Sequence, residues 1–254
     1  MGWLDPPRAA DYITNQSVIN SLSTTGARLL SVPLSELAPE EERSPRRGRR
    51  KEARPGELLA AALELFVEKG FAATRSEEVA ARAGVSKGTL FLYFPSKEEL
   101  FKAVVRENIS GRFAEWEQEF ASFEGSTAEM VRYCMRVWWE RIGSTRASGI
   151  TKLIIGEARN FPDIARFYQQ EVIRPANQLM RRILQRGVDR GEFRPLDIEY
   201  TVFSIVAPMM FLIMMKHSLG ACVPQEYPLD PQRYIDTQVE NLLLGLCVRP
   251  GSRP

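Results

Sequence analysis

The chain has 254 residues, 44% of them hydrophobic, enough apolar material for one large or two modest domains and too much for a wholly disordered chain. Its 34 Lys and Arg nearly balance 32 Asp and Glu, leaving a net charge of +2, so any attraction to nucleic acid must come from uneven placement of charge. One histidine, His217, removes every catalytic triad or imidazole metal set that needs a second ring, and Cys134, Cys222 and Cys247 are too few and too widely spaced for a disulfide framework or a metal knuckle.

These exclusions predict no catalytic residues, no metal and no cofactor, in a reducing, cytoplasmic setting. The opening MGWLDPPRAADY places an acid and two prolines where an export signal needs basic and then apolar residues. The longest apolar run, Val202 to Met215, has 14 residues with Pro208 inside it, too short to span a bilayer, and predicts a buried helix rather than a membrane span.

Residues 1–53 hold no helical period for more than a turn and are expected to form a flexible extension. The extension ends in a basic arm: Arg43 to Pro55 carries a net charge of +6, leaving −4 for the rest of the chain. Helices then follow one another closely. Pro55 suits a first turn, and Leu58, Ala62, Leu65 and Phe66 form one stripe before Gly70 closes the first helix. A second, over about Ser76 to Ala83 with Thr74 or Ser76 as its cap, faces Val79, Ala80 and Ala83 inward. Gly84-Val85-Ser86 then turns the chain, and Ser86 caps a two-turn helix from Lys87 to about Phe94 that Pro95 stops. A Ser96 to Glu99 capping box starts a fourth helix with Leu100, Phe101, Val104 and Val105 inside.

In this third helix Leu90 and Phe94 are spaced to anchor it in a core, leaving Lys87, Gly88, Thr89, Phe91, Leu92 and Tyr93 for a duplex groove. Gly88 permits close backbone approach, Lys87 and Thr89 can bond bases or phosphates, and Leu92 can meet a thymine methyl. The basic arm, with Arg49, Arg50, Lys51 and Arg54, is placed to reach a minor groove.

Beyond residue 107 at least five more helices are expected, with breaks at 125–127, 143–144, 160–163, 187–195 and 220–231. Their apolar content is rich in aromatic rings and methionine, which suits either plain core or the walls of a small-molecule pocket. Glu157 and Arg159, an i, i+2 pair that points to different helix faces, read as surface charge rather than an acid–base pair.

The segment AGVSKGTLFLYFPSKEELF, Ala83 to Phe101, resembles the DNA-binding part of the tetracycline-repressor (TetR/AcrR) family, and the likeness extends upstream through LELFVEKGFAATRSEEVA, Leu63 to Ala80. The stretch from Gly156 to Phe193 is similar to the middle helices of many such repressors. Two positions depart from the common pattern, Phe91 where tyrosine is frequent and Tyr93 where histidine is frequent.

The resemblance implies an all-α protein in four parts: the extension 1–53, a three-helix helix-turn-helix domain at 54–106, a ligand-binding and dimerising helical bundle at 107–248, and a tail at 249–254. It implies phosphate contacts from Lys97 and Ser76 beside the Ser86 to Tyr93 surface. A pocket is implied near Trp116, Trp138, Phe167 and Met209. The last two long helices, about Asp197 to Leu219 and Pro231 to Cys247, are implied to join a second subunit through a stripe containing Val202, Ile205, Met210 and Ile213. The function implied is a ligand-responsive repressor, a homodimer on double-stranded DNA with a palindromic operator, released by a small, largely apolar effector. The competing reading is an all-helical carrier or enzyme with a vestigial helix-turn-helix.

Overall fold

The computed structural model describes residues 46–222 and 228–248. By its contacts the chain divides into two units, 1–50 and 51–254, and nearly all described residues belong to the second. The protein is all-α; among the described residues the β pairing is a single antiparallel bridge between Phe193 and Cys247.

The first helix, α1 (Arg46–Ala73), starts upstream of its predicted position and carries Pro55 in its interior. The part of the expected flexible arm from Arg46 to Ala53 is therefore helical backbone, while the side chains of Arg49, Arg50, Lys51 and Arg54, and residues 1–45 with the tail 249–254, lie outside what is described. Leu58, Ala62, Leu65 and Phe66 are all buried, and the helix breaks at Gly70, whose φ of 84° and ψ of 172° lie in a region open essentially only to glycine.

Next come α2 (Ser76–Arg82), α3 (Lys87–Tyr93) and α4 (Lys97–Asn108). Neither Thr74 nor Ser76 caps α2. The cap position is Arg75, whose backbone N–H donates to the Glu78 carboxylate at 3.4 Å, while the buried Thr74 hydroxyl turns back onto the Leu65 and Gly70 carbonyls at 3.1 and 2.6 Å. Ser96 does cap α4, accepting from the Glu99 N–H at 3.2 Å, but the Glu99 carboxylate pairs with Lys102 at 2.8 Å instead of completing a box.

Leu90, Leu100, Phe101, Val104 and Val105 join the α1 stripe in one core, around rings of Phe66, Phe71 and Phe101 whose centroids lie 5.3 to 5.7 Å apart. Edge and offset contacts of this kind add about 0.5–1.5 kcal/mol per pair to the burial itself.

The larger bundle holds α5 (Phe113–Ala121), α6 (Thr127–Trp138), α7 (Ser148–Glu157), α8 (Pro162–Tyr168), α9 (Arg174–Asp189), α10 (Ile198–His217) and α11 (Pro231–Leu246). Seven helices meet the expectation of at least five: the five predicted breaks each separate two of them, and the one further division is the π turn between α8 and α9. Two single π turns, Trp139–Gly143 after α6 and Gln169–Ile173 between α8 and α9, widen the helical path; such turns collect at functional sites. Ser126 and Glu129 make the full reciprocal capping box that starts α6.

α10 corrects one expectation in part. It is 20 residues long with a mean hydropathy of 1.8 over its central window, long and apolar enough by composition to cross a membrane, yet only 22% of that window is buried in the subunit. Val202, Ile205, Leu212 and Ile213 enter the core, while Tyr200, Phe203 and Phe211 stand outside it. Apolar residues ring this helix, so one face serves the subunit core and another is left to the surface.

Gly70 supplies the first prediction. A Cβ at this position would collide with the Glu157 carboxylate and would force a non-glycine residue to positive φ. Gly70→Ala should therefore cost about 2–4 kcal/mol of stability in urea unfolding, where an exposed helix-end glycine would cost little. A loss below about 1 kcal/mol would contradict this account of the elbow.

Candidate DNA-reading surface and interior cavity

The turn between α2 and α3 is built by its three residues. Gly84 adopts φ 67°, closing α2 with its N–H on the Ala81 carbonyl at 3.1 Å, and the Val85 N–H bonds the Ala80 carbonyl at 2.9 Å while its side chain packs on the core. Ser86 accepts from the Thr89 N–H at 3.1 Å.

α3 then buries Leu90 and leaves Ser86, Lys87, Gly88, Phe91 and Leu92 exposed, with Leu92 80% accessible. An isolated seven-residue helix that turns one leucine into the core and another fully outward is a scaffolded, one-sided surface. Three of the sequence-assigned residues are less free than spacing suggested. Tyr93 is half-buried against the core, the Thr89 hydroxyl bonds the Ser86 hydroxyl at 2.9 Å, and Lys87 pairs with Glu77 at 2.5 Å while lying 5.7 Å from the Phe91 ring centroid. The Lys87 pair is open to water on both sides, so it is a weak tether that an incoming phosphate can displace. Ser76, half-buried, opens α2 beside Glu77.

Lys97 does something spacing could not reveal. Its ammonium donates to the carbonyls of Phe71, Ala72 and Thr74 at 2.8, 3.3 and 3.1 Å and sits 4.5 Å over the Phe71 ring. Those are carbonyls at the end of α1, which have no helical partner, so Lys97 holds α4 against the α1–α2 elbow. The phosphate contact implied for it competes with three bonds already made.

The same elbow is gripped from the other side. Glu157, at the end of α7, accepts from the Phe71 and Ala72 N–H groups at 2.8 and 3.0 Å, and Phe161 meets the Phe71 ring edge-on at 4.8 Å. Glu157 is thus neither surface charge nor an acid–base partner of Arg159. It ties the bundle to the turn that carries α2 and α3.

Inside the bundle lies a cavity of about 240 Å³. Trp116, Trp138 and Met209 line it, as does Met210, which sequence placed at a subunit interface. Phe167 does not; its ring is buried beneath α4, 4.9 Å from the Arg106 guanidinium and 5.8 Å from the Lys102 ammonium. α7 contributes Thr151 and Ile154, both π turns contribute wall residues (Ile142, Val172 and Ile173), and Ile109, which caps the C-terminus of α4, closes one side. A helix that begins at the reading head therefore ends on the cavity wall.

Val202, Ile205 and Ile213 are 1–2% exposed within the subunit, so they cannot form the outer stripe assigned to them. The outward apolar residues are Tyr200, Phe203 (59% exposed) and Phe211 on α10 with Leu244 (72% exposed) on α11. The period of an all-apolar helix does not say which face points out, so spacing alone cannot separate the buried Val202, Ile205 and Ile213 from the exposed Tyr200, Phe203 and Phe211.

His217 sits where α10 meets α7, its Nε2 sharing a 2.8 Å bond with the Ser148 hydroxyl beside Lys216, whose ammonium caps the carbonyls of Gly143, Ser144 and Thr145. Burial first, and the charges of Lys216 and Lys152 after it, push the imidazole down to about 4. The unfolded chain binds a proton here below about 6.5 and the folded one only near 4, so stability falls as pH drops through that window. Solvent screening of the half-buried ring keeps the loss on the order of 1 kcal/mol. Proton NMR of this lone imidazole should show a midpoint well below 5, and a midpoint near 6.5 would remove the argument.

Comparison with known proteins agrees with this geometry. Residues 58–104 match the family model of bacterial regulatory proteins of the tetR family, and residues 124–222 match that of the tetracyclin repressor-like C-terminal domain, together more than half of the chain. The chain is 28% identical to the HTH-type transcriptional regulator RutR of Escherichia coli over 179 residues, covering 64% of this chain and 74% of that one. It is 29% identical to the HTH-type transcriptional repressor KstR2 of Mycolicibacterium smegmatis over 152 residues, covering 58% and 71% respectively. Among solved structures, the ketosteroid transcriptional regulator KstR2 of Mycobacterium tuberculosis superimposes with a TM-score of 0.56 at 24% identity over 77% of this chain and 96% of that one. The fatty acid degradation regulator FadR from Bacillus halodurans gives 0.60 at 19% identity over 75% and 94%. The matched segments coincide with the α1–α4 headpiece and the cavity-bearing bundle, and the chain belongs to the tetR family of bacterial regulatory proteins.

Proposed function

We propose that this protein is a cytoplasmic, homodimeric repressor that reads a palindromic operator with α3 and releases it when an uncharged small molecule fills the bundle cavity. The observation that carries the reading is the outer face of α3: Ser86, Lys87, Gly88, Phe91 and Leu92 exposed on a two-turn helix, with Thr89 half-buried among them and Ser76 at the start of α2. Residues 54–106 form the reading domain and 107–248 the effector and dimerisation domain. The basic residues Arg49, Arg50, Lys51 and Arg54 add salt-sensitive, sequence-independent attraction. The name of the KstR2 relative, a repressor, supports repression as the mode.

Release follows from how the parts are joined. α4 runs from the end of α3 to Ile109 on the cavity wall, a rod of twelve residues and about 18 Å, and Lys97 and Glu157 clamp the elbow at its start from two sides. An effector that displaces Ile109 moves that rod and with it the spacing of the two α3 helices, which must match about 34–36 Å to enter successive major grooves. Switching nearly all molecules requires the effector to favour the released form by about 5.5 kcal/mol.

The test is selection of bound sites from random duplexes followed by gel retardation on the selected site. A carrier would retard no specific DNA, and a coating protein would be competed away by random DNA. On that site Lys87→Ala should weaken binding to all sequences alike and lower the salt slope by about one unit. Lys97→Ala should act differently, lowering the melting temperature of the headpiece together with affinity. An unchanged salt slope for Lys87→Ala would remove Lys87 from the phosphate-facing surface.

A further inference from the structure

Resting on the reading of the cavity as an effector site, we propose that its ligand is an uncharged, largely apolar molecule bearing a hydrogen-bond-accepting carbonyl oxygen, a ketone or ester rather than an acid, an amine or an alkane. The argument rests on what the walls hold.

Among the described residues that line the cavity there is no Asp, Glu, Lys, Arg or His. An ionised group brought into such a space loses its hydration and finds no counter-charge, which disfavours carboxylates and ammonium ions by orders of magnitude in affinity. Among the charged groups nearby, Arg106 and Lys102 stack on the Phe167 ring, Glu119 pairs with Arg141 at 2.8 Å, and Arg112, whose Nε is buried without a partner, is not among the wall residues.

The polar side chains on the walls, Thr151, Tyr168, Asn177 and Cys134, are uncharged and include donors for a ligand oxygen. Thr151 and Tyr168 share one hydrogen bond of 2.8 Å between their hydroxyls, which uses one O–H and leaves the pair a second to donate. The Tyr168 hydroxyl keeps its proton, because burial pushes its pKa up to about 12. The Trp116 ring lines the cavity while its indole N–H is buried without a partner, and Asn177 adds two amide N–H donors to the wall. The second O–H of the Thr151–Tyr168 pair and the Asn177 amide N–H groups, set in an otherwise dry aromatic wall, favour an acceptor without a charge.

The experiment uses the full chain and a matched eleven-carbon series: 2-undecanone, methyl decanoate, undecane, undecanoate and undecylamine at pH 7, read by melting temperature and tryptophan fluorescence without DNA. The ketone and the ester should bind at least tenfold more tightly than the alkane, with the two ions weakest. Tyr168→Phe combined with Thr151→Val, which removes both hydroxyls, should lower the ketone's affinity at least about threefold while leaving the alkane's unchanged. Equal or tighter binding of undecanoate or undecylamine, no binding by any member, or a ketone preference undiminished in the double variant would overturn the proposal. Ketone binding by a protein that retards no selected DNA upholds this ligand class and sinks the repressor reading; a DNA complex in a protein that prefers undecanoate does the reverse.

Discussion

Leu92→Glu should abolish operator recognition in a protein that remains folded. Leu92 is 80% exposed at the centre of the outer face of α3, so the exchange removes almost no packing. Surface substitutions of this kind stay within about 0.5 kcal/mol, which for a chain of this size is a shift of about 2 °C or less in melting temperature. At the groove the same change is severe. A carboxylate carried in the reading helix faces two phosphate backbones and base edges rich in acceptors, and like-charge juxtaposition costs several kcal/mol. Operator affinity should fall by at least about 100-fold, read by gel retardation beside a thermal melt. Leu90→Ala gives the contrast: that side chain is fully buried, its truncation should cost about 2–5 kcal/mol, and binding and stability should fall together. Unchanged DNA binding by Leu92→Glu would mean that α3 does not enter the groove.

Local chemistry made the headpiece legible. The stripe at Leu58, Ala62, Leu65 and Phe66, the turn at Gly84-Val85-Ser86 and the inner residues of α4 are all decided within a few residues of themselves, and each lies where its spacing predicts. The elbow was not legible, because its bonds join Glu157 to the Phe71 and Ala72 amides across 86 and 85 residues, and no periodicity reports such a partner. The bonds that Lys97 and Thr74 make to α1 were hidden for the same reason. Both types are common at helix starts and phosphate sites, and here both satisfy carbonyls at the end of α1. In the bundle, the aromatic and methionine content fits core and pocket wall alike, and the structure uses it for both. Trp116, Trp138 and Met209 line the cavity while Phe167, equally apolar, is taken by α4.

The second large effect concerns the outward face of α10 and α11. Phe203→Glu combined with Leu244→Glu should convert a dimer into monomers whose affinity for a full operator drops to that for a half-site. The two residues are 59% and 72% exposed, and with Tyr200 and Phe211 they leave large apolar side chains on a helix whose opposite side is already sunk in the core. A patch of that kind on a soluble subunit marks an interface, and a self-complementary one is satisfied by two-fold symmetry. α11 packs against α10, with the Tyr234 ring 5.4 Å from that of Phe211, so the pair presents one surface. Two glutamates facing their own symmetry mates add like-charge repulsion and burial of charge to the lost apolar contact. Joining two reading heads turns the second contact into an intramolecular one, worth about 10²–10⁴ in affinity, and that factor vanishes with the dimer. Sedimentation should show a dimer for the native chain and a monomer for the variant, and gel retardation should show equal affinities of the variant for full and half operators. A native chain that sediments as a monomer at tens of micromolar, or a variant that stays dimeric with full operator affinity, would refute this interface. The buried Val202, Ile205 and Ile213 could not replace it without unfolding the subunit core.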